Sequence, residues 1–285
     1  FGRAMVTYNT GTLPSGWGYM VSGSYRGGNG RTWLVPSVEG MVYQSYGISA
    51  AVEYKASPYF TTNLMGIFSY NNRGKSAPLT QEAISLGGHN YNPNWGFQGD
   101  HIRNSKMKRI SEPLFVLSNT YHKGDTKIAL HLGYQFGQVG DTRIQYVKSQ
   151  NPDPSYYTNM PTYFYNMYDQ ETGEGDPFAW DKAARQIDYF KANKQLNWDA
   201  LYQTNSHTGG ESMFSLNEDI IDTKTLTGNL LATTKIDPNI TLNAGASFQR
   251  IGTENFQQIN DLLGGQYFLN KSYYSGENYD TPENL

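Results

Sequence analysis

The sequence predicts an all-β protein: an antiparallel transmembrane β-barrel segment of about eight strands, with short periplasmic turns, long extracellular loops and a short helical insert near 177–203. Three observations predict it. Short segments alternate apolar with polar or small residues at a period of two. Tight turns carrying Gly or Pro alternate with connections several times longer. The chain is rich in Tyr (23) and Gly (30), as suits strands whose two faces meet different solvents, yet it has no apolar run of the roughly 18 residues a membrane helix needs.

A first strand is expected near 3–11. In the second, Trp17, Tyr19, Val21 and Tyr25 alternate with Gly18, Ser22, Ser24 and Arg26. In the third, Val42, Tyr46, Ile48, Ala50, Val52 and Tyr54 alternate with Ser45, Gly47, Ser49, Glu53 and Lys55. The fourth (near 62–73) and fifth (near 113–123) have an apolar face interrupted by polar residues. The sixth is the clearest, with Ile128, Leu130, Leu132, Tyr134 and Phe136 set against Lys127, Ala129, His131, Gly133, Gln135 and Gly137. A seventh lies near 222–236, and in the eighth Leu242, Ala244, Ala246 and Phe248 alternate with Thr241, Asn243, Gly245, Ser247 and Gln249.

Turn chemistry pairs these segments. Leu13-Pro14-Ser15-Gly16, Ser57-Pro58-Tyr59-Phe60, Lys123-Gly124-Asp125 and Asp237-Pro238-Asn239 each hold Pro or Gly where a tight reversal requires it. The other connections are long: about 27–40, 74–111, 145–212 and everything after about 254. Compact soluble domains seldom carry several connections above roughly 15 residues. Within the longest, Phe178, Ala183, Ile187 and Phe190 fall at helical spacing, and Trp198, Leu201 and Tyr202 follow a polar break at Asn193 to Asn197.

Composition excludes several functions. Net charge is −3 and the 22 basic residues are scattered, with only Lys106, Lys108 and Arg109 close together, so no nucleic-acid partner is expected. There is no Cys, hence neither disulfides nor thiolate metal sites. The mean hydropathy of −0.62 does not oppose a membrane barrel, whose strands need only alternate. Phe1-Gly2-Arg3 offers neither an initiating Met nor the apolar core of a leader, so the chain is expected to begin inside a longer protein.

The sequence offers little for catalysis. His89, His101, His122, His131 and His207 make no HExxH pair, although His122 and His131 flank one turn and could face each other across a hairpin. Gly27-Gly28-Asn29-Gly30 lacks the helix a phosphate cradle needs. Gly47-Ile48-Ser49-Ala50-Ala51 lies inside an alternating strand and lacks the second Gly of a nucleophile elbow. Glu171, Glu174 and Asp176 read as a self-solvating acidic loop. No catalytic residue, metal or cofactor is expected.

Aromatic clusters in the long connections are the remaining candidates. Tyr91-Asn92-Pro93-Asn94-Trp95-Gly96-Phe97, and the stretch from Tyr156-Tyr157 to Tyr163-Phe164-Tyr165, place rings beside Asn, Asp and Arg. They can stack on a sugar or peptide, or pack one loop on another. The candidate ligand-binding residues are Tyr91, Trp95, Arg103, Tyr157 and Tyr163.

Several of these segments, in their shared order, resemble the barrel of Bacteroidetes-type TonB-dependent receptors. They are Tyr91 to Gly96 with Arg103-Asn104-Ser105, Asp153-Pro154-Ser155-Tyr156-Tyr157 to Pro161-Thr162-Tyr163, Gln186-Ile187-Asp188, Asn197-Trp198-Asp199-Ala200-Leu201-Tyr202 and Asp261-Leu262-Leu263-Gly264-Gly265. The resemblance implies a barrel of about 22 strands plugged by an N-terminal domain, which binds a scarce nutrient outside the cell and imports it with energy from a TonB complex. Outer-membrane lipid, a small nutrient and the TonB complex are the implied partners. Loop residues and wall residues such as Arg26, Glu53 and His131 would meet the ligand. The sequence departs from the family in having no plug, no TonB box and about a third of the strands; Asp280 to Leu285 reads as unfinished loop, so residues 1–285 are expected to be a partial barrel. Two alternatives stay open: a small eight-stranded surface barrel acting as adhesin or binding protein, and a secreted carbohydrate-binding β-domain.

Overall fold

Alternation of the kind just described lets each strand expose two chemically different faces while its backbone pairs sideways, and the chain does this throughout. In the computed structural model, residues 2–28, 38–167 and 174–269 are described. The strands are β1 (Gly2–Thr12), β2 (Trp17–Gly28), β3 (Tyr43–Ser57), β4 (Phe60–Gly74), β5 (Trp95–Gln98), β6 (His101–Asn104), β7 (Met107–Ser111), β8 (Leu114–Lys123), β9 (Thr126–Tyr146), β10 (Phe214–Asp237) and β11 (Ile240–Asp261). All pairings between these strands are antiparallel. β5 and β6 form a separate hairpin; the other nine make one sheet.

The wall has the eight rails expected, although one of them is broken in two. β7 and β8 are two halves of one rail, since each pairs with both β4 and β9. The break falls at Glu112-Pro113, where proline has no N–H to give the ladder. Opposite it Gly137 adopts φ +136°, and a Cβ there would lie 2.0 Å from the Ser111 carbonyl oxygen. Only glycine fits that crossing. The last three strands also run past their expected limits, with β9 spanning 21 residues, β10 24 and β11 22. Beyond Phe136 and before Leu226 polar residues interrupt the apolar face, so apolar alternation fades while backbone pairing continues.

Register fixes the two faces. Tyr19, Val52, Leu64, Leu117, Leu132, Gly228 and Phe248 stand directly opposite one another from β2 to β11. The neighbouring row, on the other face, reads Gly18, Glu53, Asn63, Ser118, His131, Asn229 and Ser247. One face is thus apolar and the other polar. The apolar face is not sealed: Tyr134, Leu132, Phe115, Leu64 and Phe248 are all well exposed. A water-soluble β-domain would pack these side chains inward. β1 pairs only with β2 and β11 only with β10, so among the described residues the sheet does not close on itself, as a complete eight-stranded barrel would.

The short turns gather at one end and the long connections at the other. The latter fold into a loop body containing α1 (Gln81–Gly87), a 3₁₀ turn (Tyr157–Asn159), α2 (Pro161–Tyr165), α3 (Ala179–Ala192), α4 (Trp198–Ser206) and the β5–β6 hairpin. The helical insert expected near 177–203 is therefore two helices. Asn197 caps α4 by accepting from the Ala200 N–H, which satisfies a donor left free at the helix start. The buried Trp198, Leu201 and Asn205 repeat at helical spacing, and one α4-centred cluster joins Leu196, Trp198 and Leu201 to Phe214, Leu216 and Leu263. Leu216, and Ile144 opposite it, lie on the face that carries the apolar row lower down. The loop body therefore docks against the apolar-face side of the strand ends.

Candidate functional site

The motif from Tyr91 to Gly96 builds scaffold. The Asn92 Nδ2 donates to the Glu39 carbonyl (3.0 Å), the Asn94 Nδ2 to that of Lys75 (3.0 Å) and the Asn104 Nδ2 to that of Gly40 (3.1 Å). These buried amides tie three separate loop segments together, and buried polar groups of this kind are held by complete hydrogen bonding. Gly96 allows the closest approach: a Cβ there would sit 1.8 Å from the Leu196 carbonyl oxygen, and the Leu196 N–H donates to the Trp95 carbonyl at 2.9 Å.

The five expected site residues separate into three environments. Tyr91 and Trp95 are only 3% and 2% exposed and belong to the interior of the loop body. The Tyr91 ring meets Phe190 edge-on at 5.5 Å, and its hydroxyl donates to the Lys194 carbonyl at 2.8 Å. Burial, followed by the negative charges of Asp153 and Glu39, pushes the Tyr91 phenol well above its ordinary value.

Arg103 is the centre of a clamp. Its guanidinium donates to Asp261 Oδ2 (2.6 Å), Gln98 Oε1 (2.8 Å) and the Tyr202 hydroxyl (3.1 Å), and lies 4.1 Å above the Trp198 ring. The Trp198 Nε1 returns a hydrogen bond to the Arg103 carbonyl at 3.1 Å. Asp261, at the outer end of β11, also accepts from Tyr202 (2.8 Å) and from the Leu263 N–H (2.8 Å). Its partial burial would raise the carboxyl, but the bonds from Arg103, Leu263 and Tyr202 outweigh it and hold Asp261 below its usual range. A depressed carboxylate contributes stability that is present above its unfolded value and lost as pH falls through its folded value. The loop body is therefore expected to loosen on acidification below pH 4, and Asp261→Asn should abolish that acid step at a cost of roughly 1–3 kcal/mol. Tryptophan fluorescence against pH checks this; an unchanged acid limb in the variant would show that the clamp does not govern it.

Tyr157 and Tyr163 lie on the surface, at 62% and 38% exposure, with their rings 5.8 Å apart. Tyr156 stands 4.7 Å from Tyr157, and its phenol is raised, first by desolvation and then by Tyr157 and Tyr146. Phe178, Trp180 and Tyr189 of the α3 region are also exposed, and Trp180 meets Tyr165 edge-on at 4.7 Å. At the start of this region Lys182 bonds the Asp176 carboxylate, which with the Phe178 N–H holds that group below its ordinary value.

Between the 149–159 segment and α3 runs a cleft of about 270 Å³ that the sequence did not disclose. Gln150, Asn151, Asn159, Gln186, Asn193, Gln195 and Asn197 line it together with the Tyr189 and Phe190 rings, and no charged side chain does. Amides offer paired donors and acceptors, and an exposed ring gives an apolar platform, so the surface suits a neutral ligand rich in hydroxyl or amide groups. The one signal was the density of Asn and Gln in 145–212, which by itself also describes ordinary loop.

No metal-binding group of His, Asp or Glu occurs among the described residues. His122 and His131 do not face each other: His122 is opposite Lys127, and His131 is opposite Ser118, whose Oγ lies 3.0 Å from its Nδ1. Glu171, the Asn29-Gly30 half of the glycine run and residues 280–285 lie outside the described residues.

No family model matches the chain, and no curated protein matches it in sequence. Among solved structures it is similar to a Pseudomonas aeruginosa FadL homologue, with 12% identity and a TM-score of 0.30 over 86% of this chain and 47% of that one. The chain thus spans about half the length of that structure, and a likeness of this degree assigns neither family nor ligand.

Proposed function

We propose that the chain forms wall and outer loops of an outer-membrane β-barrel that binds and admits a small nutrient. One observation carries the reading: two aromatic girdles flank an exposed apolar band. Tyr25, Tyr46 and Tyr70 are opposed across β2, β3 and β4, with centroids 5.4 and 6.2 Å apart. Nearer the short turns Trp17 stacks on Tyr54 at 4.4 Å and on Tyr19 at 6.2 Å. From Trp17 to Tyr25 the strand climbs about 26 Å, which at the usual tilt is roughly 20 Å of height, close to the band expected in such barrels.

The band is also inclined. On β2 it centres near Val21, whose row reaches Leu226 on β10, yet on this face of β10 the exposed apolar positions run from Leu226 to Ile236. A drift of about five residues over five strand spacings corresponds to a tilt of about 35°, the inclination barrel closure requires. The polar face then lines the interior, the short turns face the periplasm and the loop body faces outside.

The ordered loop motifs that resemble Bacteroidetes-type TonB-dependent receptors support energised import through a TonB complex. The amide-lined cleft with the exposed tyrosines is where the ligand would first be held. Because the chain has no cysteine, single substitutions are unique labels. In intact cells a membrane-impermeant maleimide is expected to modify Tyr157→Cys and spare Asn239→Cys until the outer membrane is permeabilised. The reverse pattern would invert the orientation, and equal labelling would remove the membrane from the reading.

A further inference from the structure

On the polar face of β1 to β4, near the loop body, the register opposes like charges. Arg3 of β1 stands directly across from Arg26 of β2, and Arg73 of β4 directly across from Lys108 of β7. Opposed like charges destabilise a sheet, and among the described residues the arginines have no carboxylate to relieve them. Among the described residues Arg3 reaches the Met5 sulfur at 3.8 Å, and Arg26 lies over the Tyr43 ring at 5.2 Å. Tyr43 is in turn the cross-strand partner of Arg73, and its hydroxyl accepts from Asn71 at 3.1 Å, so it stands between Arg26 and Arg73. Along this row the next carboxylate, Asp141, is shared by Lys75 (2.8 Å) and Lys108 (3.8 Å). Beyond Asp141 the same row passes to Asp219, which Arg143 already pairs at 3.2 Å.

We infer that Arg3, Arg26 and Arg73, arrayed around Tyr43, form a binding site for a soluble multivalent anion carrying phosphate or clustered carboxylate groups. The guanidinium fork matches both groups bidentately, and Tyr43 supplies a rigid floor that keeps one fork oriented. The anion would replace the missing counter-charge, which explains how two like-charged pairs are tolerated in one wall. The inference goes beyond the loop cleft, which is uncharged, and rests on the reading above only in placing this face inside the barrel. Lying below the loop body, the patch is positioned to take an anionic ligand, or the anionic end of one, after capture outside.

The test uses the protein in detergent micelles at pH 7 and constant ionic strength, with millimolar inorganic phosphate or citrate exchanged for chloride. A saturable rise in thermal midpoint of roughly 2–4 °C is expected for the unaltered protein, because a ligand bound only by the folded state stabilises it. Arg26→Gln with Arg73→Gln should abolish the rise, while Arg143→Gln, whose charge is already paired, should keep it. In chloride the double variant should melt no lower than the parent, since a repulsion has been removed. A rise that survives the double variant would reduce the effect to general salting-out and overturn the site. A double variant that melts lower in chloride, with no response of the parent to phosphate, would mean that fixed carboxylates of the protein fill the site, and would equally overturn it. Maleimide labelling at Tyr157→Cys and Asn239→Cys is independent of either result, so failure of this site and failure of the membrane reading are separable.

Discussion

Replacing Trp198 by alanine is expected to free the loop body from the wall while the strand ladder beneath stays intact. Trp198 is fully buried, anchors the cluster that links α4 to β10, carries the Arg103 guanidinium on its face and bonds the Arg103 carbonyl. Removing such a ring costs about 3–5 kcal/mol through lost contacts and the cavity left behind. The loss of the surface on which Arg103 rests adds to this. Hydrogen exchange should therefore accelerate across residues 178–206 and leave β2 and β3 protected. Uniform loss of protection would show that loop body and wall unfold as one unit.

The second large effect separates the two faces of one strand. Leu230 lies in the middle of the apolar positions of β10, and its neighbour Asn229 faces the other way, opposite His131 and Ser247. Leu230→Arg is expected to cost roughly 2–4 kcal/mol of stability in vesicles, the penalty of a cation on the lipid side near the midplane, whereas Asn229→Arg should be nearly neutral. Urea titration in lipid vesicles measures both. Equal tolerance of the two substitutions would mean that lipid does not touch Leu230.

Much of the wall was legible because a half-buried strand writes its environment into every second residue. Ile128 to Phe136 revealed both the strand and its apolar face, and Lys123-Gly124-Asp125 marked the turn that leads into it. What escaped was the part where that contrast vanishes. In the outer halves of β9, β10 and β11 polar residues break up both faces, leaving isolated apolar positions such as Ile144, Leu216 and Ile220, so no regular alternation marks the strand. α1 has seven residues, begins at the Thr80 cap and buries only Ala83, too little for a visible period. Rings near polar residues do not announce their burial: Trp95 looks like Tyr157 in sequence, yet the Gly40 backbone packs directly on the Trp95 ring while Tyr157 is exposed. The opposition of Arg3 and Arg26 is likewise a product of register. No reading of either segment by itself contains it.

The free margins of the sheet have a consequence for what the wall requires around it. β1 and β11 each present one side of the main chain to no neighbour among the described residues. Water can satisfy such amide and carbonyl groups, but hydrocarbon cannot, and each one stranded there costs several kcal/mol. Wherever the apolar band lies in a bilayer, both margins must be zipped to another strand, so insertion and lateral closure have to occur together.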